Sequence, residues 1–258
     1  MPFTSGRVRL YYEVHGDGPP LVLIHANPFD HRLWTYQISS FSQFFTVVAV
    51  DIRGYGRSDK PETPFTLRDM ADDILEVCRQ EKISHAIFAG VSVGSGIAML
   101  IGLDQPEMVG ALILVGGSSQ PGADVVGRVA GYTSTNMAAY HMAHMRELFA
   151  PGFFDTMAGA WVQSLFGATS RNLSGRCIAE IFKARGSCDM SGRLADMKPP
   201  ALVVNGEHDG SMKGGLTTAS LITGAEHFVV LGTGHACCIE DPHTFDTRMM
   251  QFVADKAT

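Results

Sequence analysis

Six short, almost wholly apolar runs punctuate the chain: LVLI at 21–24, TVVAV ending at Val50, HAIFA ending at Ala89, ALILV ending at Val115, ALVVN ending at Asn205 and HFVVL ending at Leu231. They are too short for buried helices. They are also too uniformly apolar for strands with one wet face. Runs of this kind belong in a parallel sheet covered on both sides. Helical patterns fill the gaps between them. Thr66 is an N-cap candidate for LRDMADDILEVCRQ, with Asp69 in the first turn and Met70, Ile74, Val77 and Cys78 on one face. Residues 94–103 are apolar nearly all round, which predicts a helix packed on the sheet. Pro242 opens a last helix through Phe245, Met249 and Phe252. VRLYYEV, from Val8, alternates like a strand with one open face, and Gly16-Asp17-Gly18 marks a turn. Successive βαβ units follow, and 258 residues suffice for one large α/β domain.

The stretch 118–190 breaks this rhythm. It has no convincing strand and is rich in Met, Ala and aromatics. Met137, Tyr140, His141, His144, Met145 and Leu148 fall at helical spacing, as do Phe154, Met157, Trp161 and Leu165. These stripes predict a helical cap at 118–190, inserted after the strand ending at Val115, on a core of 1–117 and 191–258. Phe29, Trp34, Met137, Tyr140, Met145 and Trp161 are candidates to line a substrate pocket beneath it. The alternative is that the stripes simply pack on the core.

Composition narrows the function. The net charge is -6, so no electrostatic footprint for nucleic acid is expected. No apolar run reaches the ~18 residues of a membrane span. MPFTSGRVRL holds no apolar signal core, and the five cysteines form no CxxC pair, so a reduced, cytoplasmic protein is expected. The neighbouring Cys237 and Cys238 read as buried small residues. A small-molecule substrate is the expected partner.

The sharpest chemical signal is Gly90-Val91-Ser92-Val93-Gly94, between the strand HAIFA and the helical segment at 94–103. A sharp strand-to-helix turn there would strain Ser92, lift its Oγ above the sheet and exclude bulky Cβ atoms two residues away. A hydroxyl needs a base to become a nucleophile. Asp209, just past ALVVN, and His235, just past HFVVL, supply an acid and a base in the required chain order. Glu207 is the rival acid; His208 and His227 are the rival bases and read as structural or solvated. Val93 N–H and Asn27 N–H, the latter in His25-Ala26-Asn27-Pro28, are the expected oxyanion donors. His25 is expected to brace that loop. No metal or cofactor is needed for this chemistry.

At this point the chain resembles the α/β-hydrolase fold family. The resemblance rests on H-A-N-P at His25, D-I-R-G-Y-G-R-S-D at Asp51, G-V-S-V-G at Gly90, G-E-H-D at Gly206 and G-T-G-H-A-C-C-I-E-D-P at Gly232, in order. It implies a mostly parallel sheet flanked by helices, with a small helical cap inserted after the sixth core strand. It also gives the segment 51–59 a structural role near the elbow. Asn27-Pro28 with Trp34 is similar to the loop of haloalkane dehalogenases, but their nucleophile is Asp, as in epoxide hydrolases. Ser92 and the stretch Asp30-His31-Arg32-Leu33-Trp34 look more like small carboxylesterases and 3-oxoadipate enol-lactonases. Arg32 could meet a substrate carboxylate or sit on the surface. Two departures are His25-Ala26, where the family has His-Gly, and Gly94-Ser95, where it often has Gly-Gly. The implied activity is hydrolysis of a small, largely apolar ester or lactone through an acyl-enzyme on Ser92. C–C bond hydrolysis, thioester hydrolysis, cofactor-free perhydrolysis and a ligand receptor on the same fold are the alternatives.

Overall fold

A computed structural model describes residues 3–122, 124–167 and 172–256. Positions 1–2, 123, 168–171 and 257–258 of the expected core and cap fall outside the described residues. Strands β1 (Tyr12–His15), β2 (Pro20–Ile24), β3 (Thr46–Val50), β4 (Ala86–Val91), β5 (Val109–Val115), β6 (Ala201–Gly206) and β7 (Glu226–Val230) form one sheet in the order β1-β3-β2-β4-β5-β6-β7. β1 runs antiparallel to β3; the other pairs are parallel. The strand expected from Val8 begins only at Tyr12. The N–H groups of Arg9 and Tyr11 donate instead to the side chains of Asp59 and Ser58.

Period-two alternation divides each central strand between two cores. Val22, Ile24, Phe88, Leu112, Leu114 and Val203 face one side. Leu21, Leu23, Ala89, Ile113, Val115 and Val204 face the other. Helices α2 (Leu67–Gln80) and α3 (Val93–Asp104) cover the first face. α1 (Thr35–Phe41) contributes Phe41 to the second. The capping box at Thr66 and Asp69 forms as the sequence requires, and such a cap contributes about 1 kcal/mol.

Between β5 and β6 the chain makes α4 (Val125–Tyr132), α5 (Met137–Glu147), α6 (Met157–Gly167) and α7 (Gly175–Gly186). This segment leaves after the strand ending at Val115, as expected. Within this sheet that is the fifth strand in chain order, not the sixth. Helix α8 (Met212–Leu221) joins β6 to β7, and α9 (Cys237–Glu240) and α10 (Pro242–Lys256) close the chain. Phe245, Met249 and Phe252 of α10 pack on the second core face. No helix among the described residues is long and apolar enough to cross a membrane.

Candidate active site

β4 ends in a turn that puts Ser92 at φ 57°, in the left-handed region, immediately before α3. Two close approaches require glycine on either side. A Cβ on Gly94 would lie 2.2 Å from Ile24 O, and one on Gly90 would lie 2.3 Å from the Gly94 carbonyl carbon. The turn is pinned by Ser92 N–H donating to Val115 O (2.8 Å). Ser95, which stands where a glycine is common, uses its buried hydroxyl within the same turn, beside Gly90 O (2.8 Å) and Val115 O (3.0 Å).

Beyond the carboxyl ends of β6 and β7, Asp209 and His235 form a buried pair, Nδ1 to Oδ1 at 2.8 Å. An ionised carboxylate only accepts, so His235 carries its proton on Nδ1 and leaves Nε2 with a lone pair. Burial opposes charge on both. Each outweighs that cost for the other: His235 is held above the usual histidine range and Asp209 well below the usual carboxylate range. Asp209 also accepts from Ser211 N–H (2.8 Å) and from Asn205 Nδ2 (2.7 Å). Ser211 Oγ lies among Gly116 O, both Asp209 oxygens and His235 Nδ1. Gly116 follows β5 at φ 55°, and a Cβ there would press on the His235 ring at 2.6 Å. The glycine pair after ALILV was the visible signal for this contact. Ser211 and Asn205 had none.

Ser92, Asp209 and His235 line one cavity of about 490 Å³, together with Asn27 and Val93. Val93 is the first residue of α3, where a helix leaves its N–H without an internal carbonyl. The Asn27 loop is held by His25, whose Nε2 accepts from Ile52 N–H (3.0 Å) and whose Nδ1–H donates to Ala26 O (2.9 Å). His25 therefore braces the loop as expected. The Asn27 side-chain oxygen is buried and accepts no hydrogen bond among the described residues. Glu207 is exposed and accepts from Gly232 N–H (2.8 Å), away from His235. His227 meets Asn205.

The family model of the alpha/beta hydrolase fold matches residues 19–242. The chain belongs to this family. The AB hydrolase superfamily protein YisY of Bacillus subtilis is 26% identical over 96% of this chain and 97% of its own length. Among solved structures, the enol-lactonase of Burkholderia xenovorans LB400 superposes with a TM-score of 0.92 at 23% identity, covering 98% of this chain and all of its own. Est816, described as an N-acyl homoserine lactone degrading enzyme, gives 0.84 at 26% identity, covering 98% and 100%.

The far wall of this alpha/beta hydrolase's cavity differs from the sequence expectation. Phe29, Trp34, Met137, Tyr140, Met145 and Trp161 are not among its lining residues. Phe29, Trp34 and Met145 are buried in the core, Phe29 against Phe166 (4.9 Å between ring centroids) and Trp34 against Phe245 (6.1 Å). Met137 and Tyr140 pack on the other core face. Trp161 is 39% exposed, beside Tyr36. The stripes divide: Met137, Tyr140, Met145, Phe154 and Leu165 pack on the core, His144 and Leu148 reach the cavity, and Met157 and Trp161 face outward. The wall is built instead by Val125 and Arg128 of α4, His144 and Glu147 of α5, and Phe182 and Arg185 of α7. Arg128 pairs with Glu147 at 2.8 Å, a rim contact (side chains 23% and 55% exposed) that contributes at most about 1 kcal/mol. Arg32 lies elsewhere, clamped to Asp30 at 2.6 Å.

One group among the described residues, Asp30, His31 and Asp51, brings three possible metal-ligand atoms within 4.8 Å of one another. Those atoms are already engaged within the protein. Asp51 takes bonds from His31 and Arg57, and Asp30 from Arg32. They read as the structural knot of the 51–59 loop.

Proposed function

We propose that the protein is a serine hydrolase that cleaves a small carboxylic ester or lactone, with Ser92 as nucleophile. The observation that carries this reading is the meeting, in one cavity, of a serine at φ 57° on a strand-to-helix turn with a buried His235–Asp209 pair. His235 Nε2 takes the Ser92 proton as Oγ attacks the substrate carbonyl. Asp209 holds the imidazole tautomer and stabilises the imidazolium. The N–H groups of Val93 and Asn27 receive the oxyanion; a donor of this kind is typically worth about 3 kcal/mol. His235 then returns the proton to the leaving alcohol, and water releases the acyl group by the reverse sequence.

Residues 118–190 act in this reading as a cap over a core of 1–117 and 191–258. The wall they supply combines apolar Val125 and Phe182 with Arg128, Glu147 and Arg185. This favours a substrate with a polar group as well as an apolar body, a more polar one than the largely apolar ester or lactone expected from the sequence. Likeness to Est816, which degrades a lactone, supports the carbonyl chemistry. A panel of p-nitrophenyl esters and small lactones tests the reading. Hydrolysis by the wild type and its loss in Ser92→Ala are expected. Full activity in Ser92→Ala would overturn it.

A further inference from the structure

We propose that His227, on β7, is a positioning residue that acts through Asn205 on the Asp209 carboxylate. The inference rests on the Ser92–His235–Asp209 reading above. Asn205 is fully buried near the end of β6. Its Nδ2 donates to Asp209 Oδ2 at 2.7 Å and lies 3.3 Å from Ser211 Oγ. A side-chain amide has a donor end and an acceptor end. With Nδ2 on the carboxylate, Oδ1 must find its own donor. It lies 3.0 Å from His227 Nε2.

The direction of the chain is therefore set from the Asp209 end. Asp209 is an anion and can only accept. Asn205 must present NH₂ to it, and an amide oxygen carries no proton, so His227 must present Nε2–H. Partial burial lowers the proton affinity of His227, consistent with a neutral ring in this role. The opposite amide orientation would place Oδ1 against the carboxylate, with like partial charges in contact. Rotation of the amide is also restricted from α8, where a Cβ on Gly215 would lie 2.1 Å from Asn205 Oδ1.

The two Asp209 oxygens have different anchors beyond Ser211 Oγ, which lies 2.9 Å from each. The N–H of Ser211 holds Oδ1, beside His235, and the amide of Asn205 holds Oδ2. Without a donor at His227, Asn205 keeps a buried oxygen unsatisfied, and its grip on Oδ2 loosens. The plane of the carboxylate that His235 reads then becomes less defined. A buried acceptor left without its donor in this way is expected to cost about 10-fold in activity.

The test compares His227→Leu with His227→Gln. Glutamine can donate an N–H to Asn205 Oδ1, and leucine cannot. In His227→Leu, kcat is expected to fall about 10-fold with KM little changed, and His227→Gln is expected to recover most of it. The unliganded proteins give a second readout, the low-field proton NMR resonance of His235 Nδ1–H. It is expected to move in His227→Leu and to stay near its wild-type position in His227→Gln. An unmoved resonance with unchanged kcat in His227→Leu would overturn the proposal, as would a glutamine variant as impaired as the leucine one. The glutamine variant keeps the hydrogen bond, so it remains informative if the leucine variant does not fold. The NMR readout needs no turnover. Full activity in Ser92→Ala would instead sink the serine-hydrolase reading, and the two failures are distinguishable.

Discussion

The two walls of the Ser92 cavity are built by different means. One wall is made of loops at the carboxyl ends of β2, β4, β6 and β7, and backbone contacts hold it. Its Gly90 and Gly94 face backbone carbonyl groups at distances no side chain tolerates, and its buried His235–Asp209 charges are paired. The other wall is made of α4, α5 and α7, which meet the sheet through side chains. It contains a displaceable rim pair, Arg128–Glu147, and two buried histidines whose charge has no carboxylate partner among the described residues. His144 bonds Tyr132 Oη (2.8 Å), and neither ring nitrogen of His141 has a partner among the described residues. The sheet-end wall fixes a few atoms closely.

The largest effects should therefore fall on the sheet-end wall. Asp209→Asn is expected to lower kcat by about 10⁴-fold while the protein keeps its fold, because the amide no longer selects the Nδ1–H tautomer of His235. Steady-state kinetics with circular dichroism as a control would check this. A loss of less than about 10-fold would mean that the pair does not act as a unit.

Next comes Gly94→Ala. A Cβ 2.2 Å from Ile24 O meets backbone rather than a flexible side chain. The expected cost is about 1–3 kcal/mol in stability, with reduced activity, measured by urea unfolding.

A third comparison uses pH. Asp209 raises the proton affinity of His235, and the base must be neutral to act. The acid limb of kcat/KM should then lie above the ordinary histidine value of about 6.5. The helical wall has the opposite sign. Burial alone pushes His141 down to about 4, so between that value and about 6.5 the unfolded chain binds the extra proton. Stability contributed by neutral His141 is present above about 6.5 and is lost as pH falls toward about 4. Melting temperature against pH should show this decline, and His141→Leu should flatten it.

The smallest effect is expected at Trp161 and Met157, which the cavity does not use and which are 39% and 92% exposed. Trp161→Ala and Met157→Gln should leave kcat/KM within about twofold, as for surface positions generally. A large change on any ester would return these residues to the substrate path.

Legibility in the sequence follows the same division. Strand runs such as TVVAV coincide with β3, and the Thr66 capping box and the Ser92 turn were readable because local chemistry dictates them. The convergence of Ser92, Asp209 and His235 was readable because parallel strands deliver their ends to one edge. Helices α4 and α7 fall inside the expected helical cap, but no stripe marked their positions. Short amphipathic segments carry little signal of their own and take their structure from what they pack against. The pocket lining was missed for a related reason. Apolar spacing says which face is buried, but not whether it meets core or cavity. Ser211 and Asn205 were invisible because a single polar residue has no period; only the fold brings each to Asp209.

The central claim is that Ser92 is the nucleophile. Incubation with a fluorophosphonate, followed by intact and peptide mass spectrometry, tests it most directly. One adduct per chain is expected, on Ser92, absent from Ser92→Ala and formed far more slowly in His235→Gln. No adduct, or equal labelling of Ser92→Ala, would contradict it.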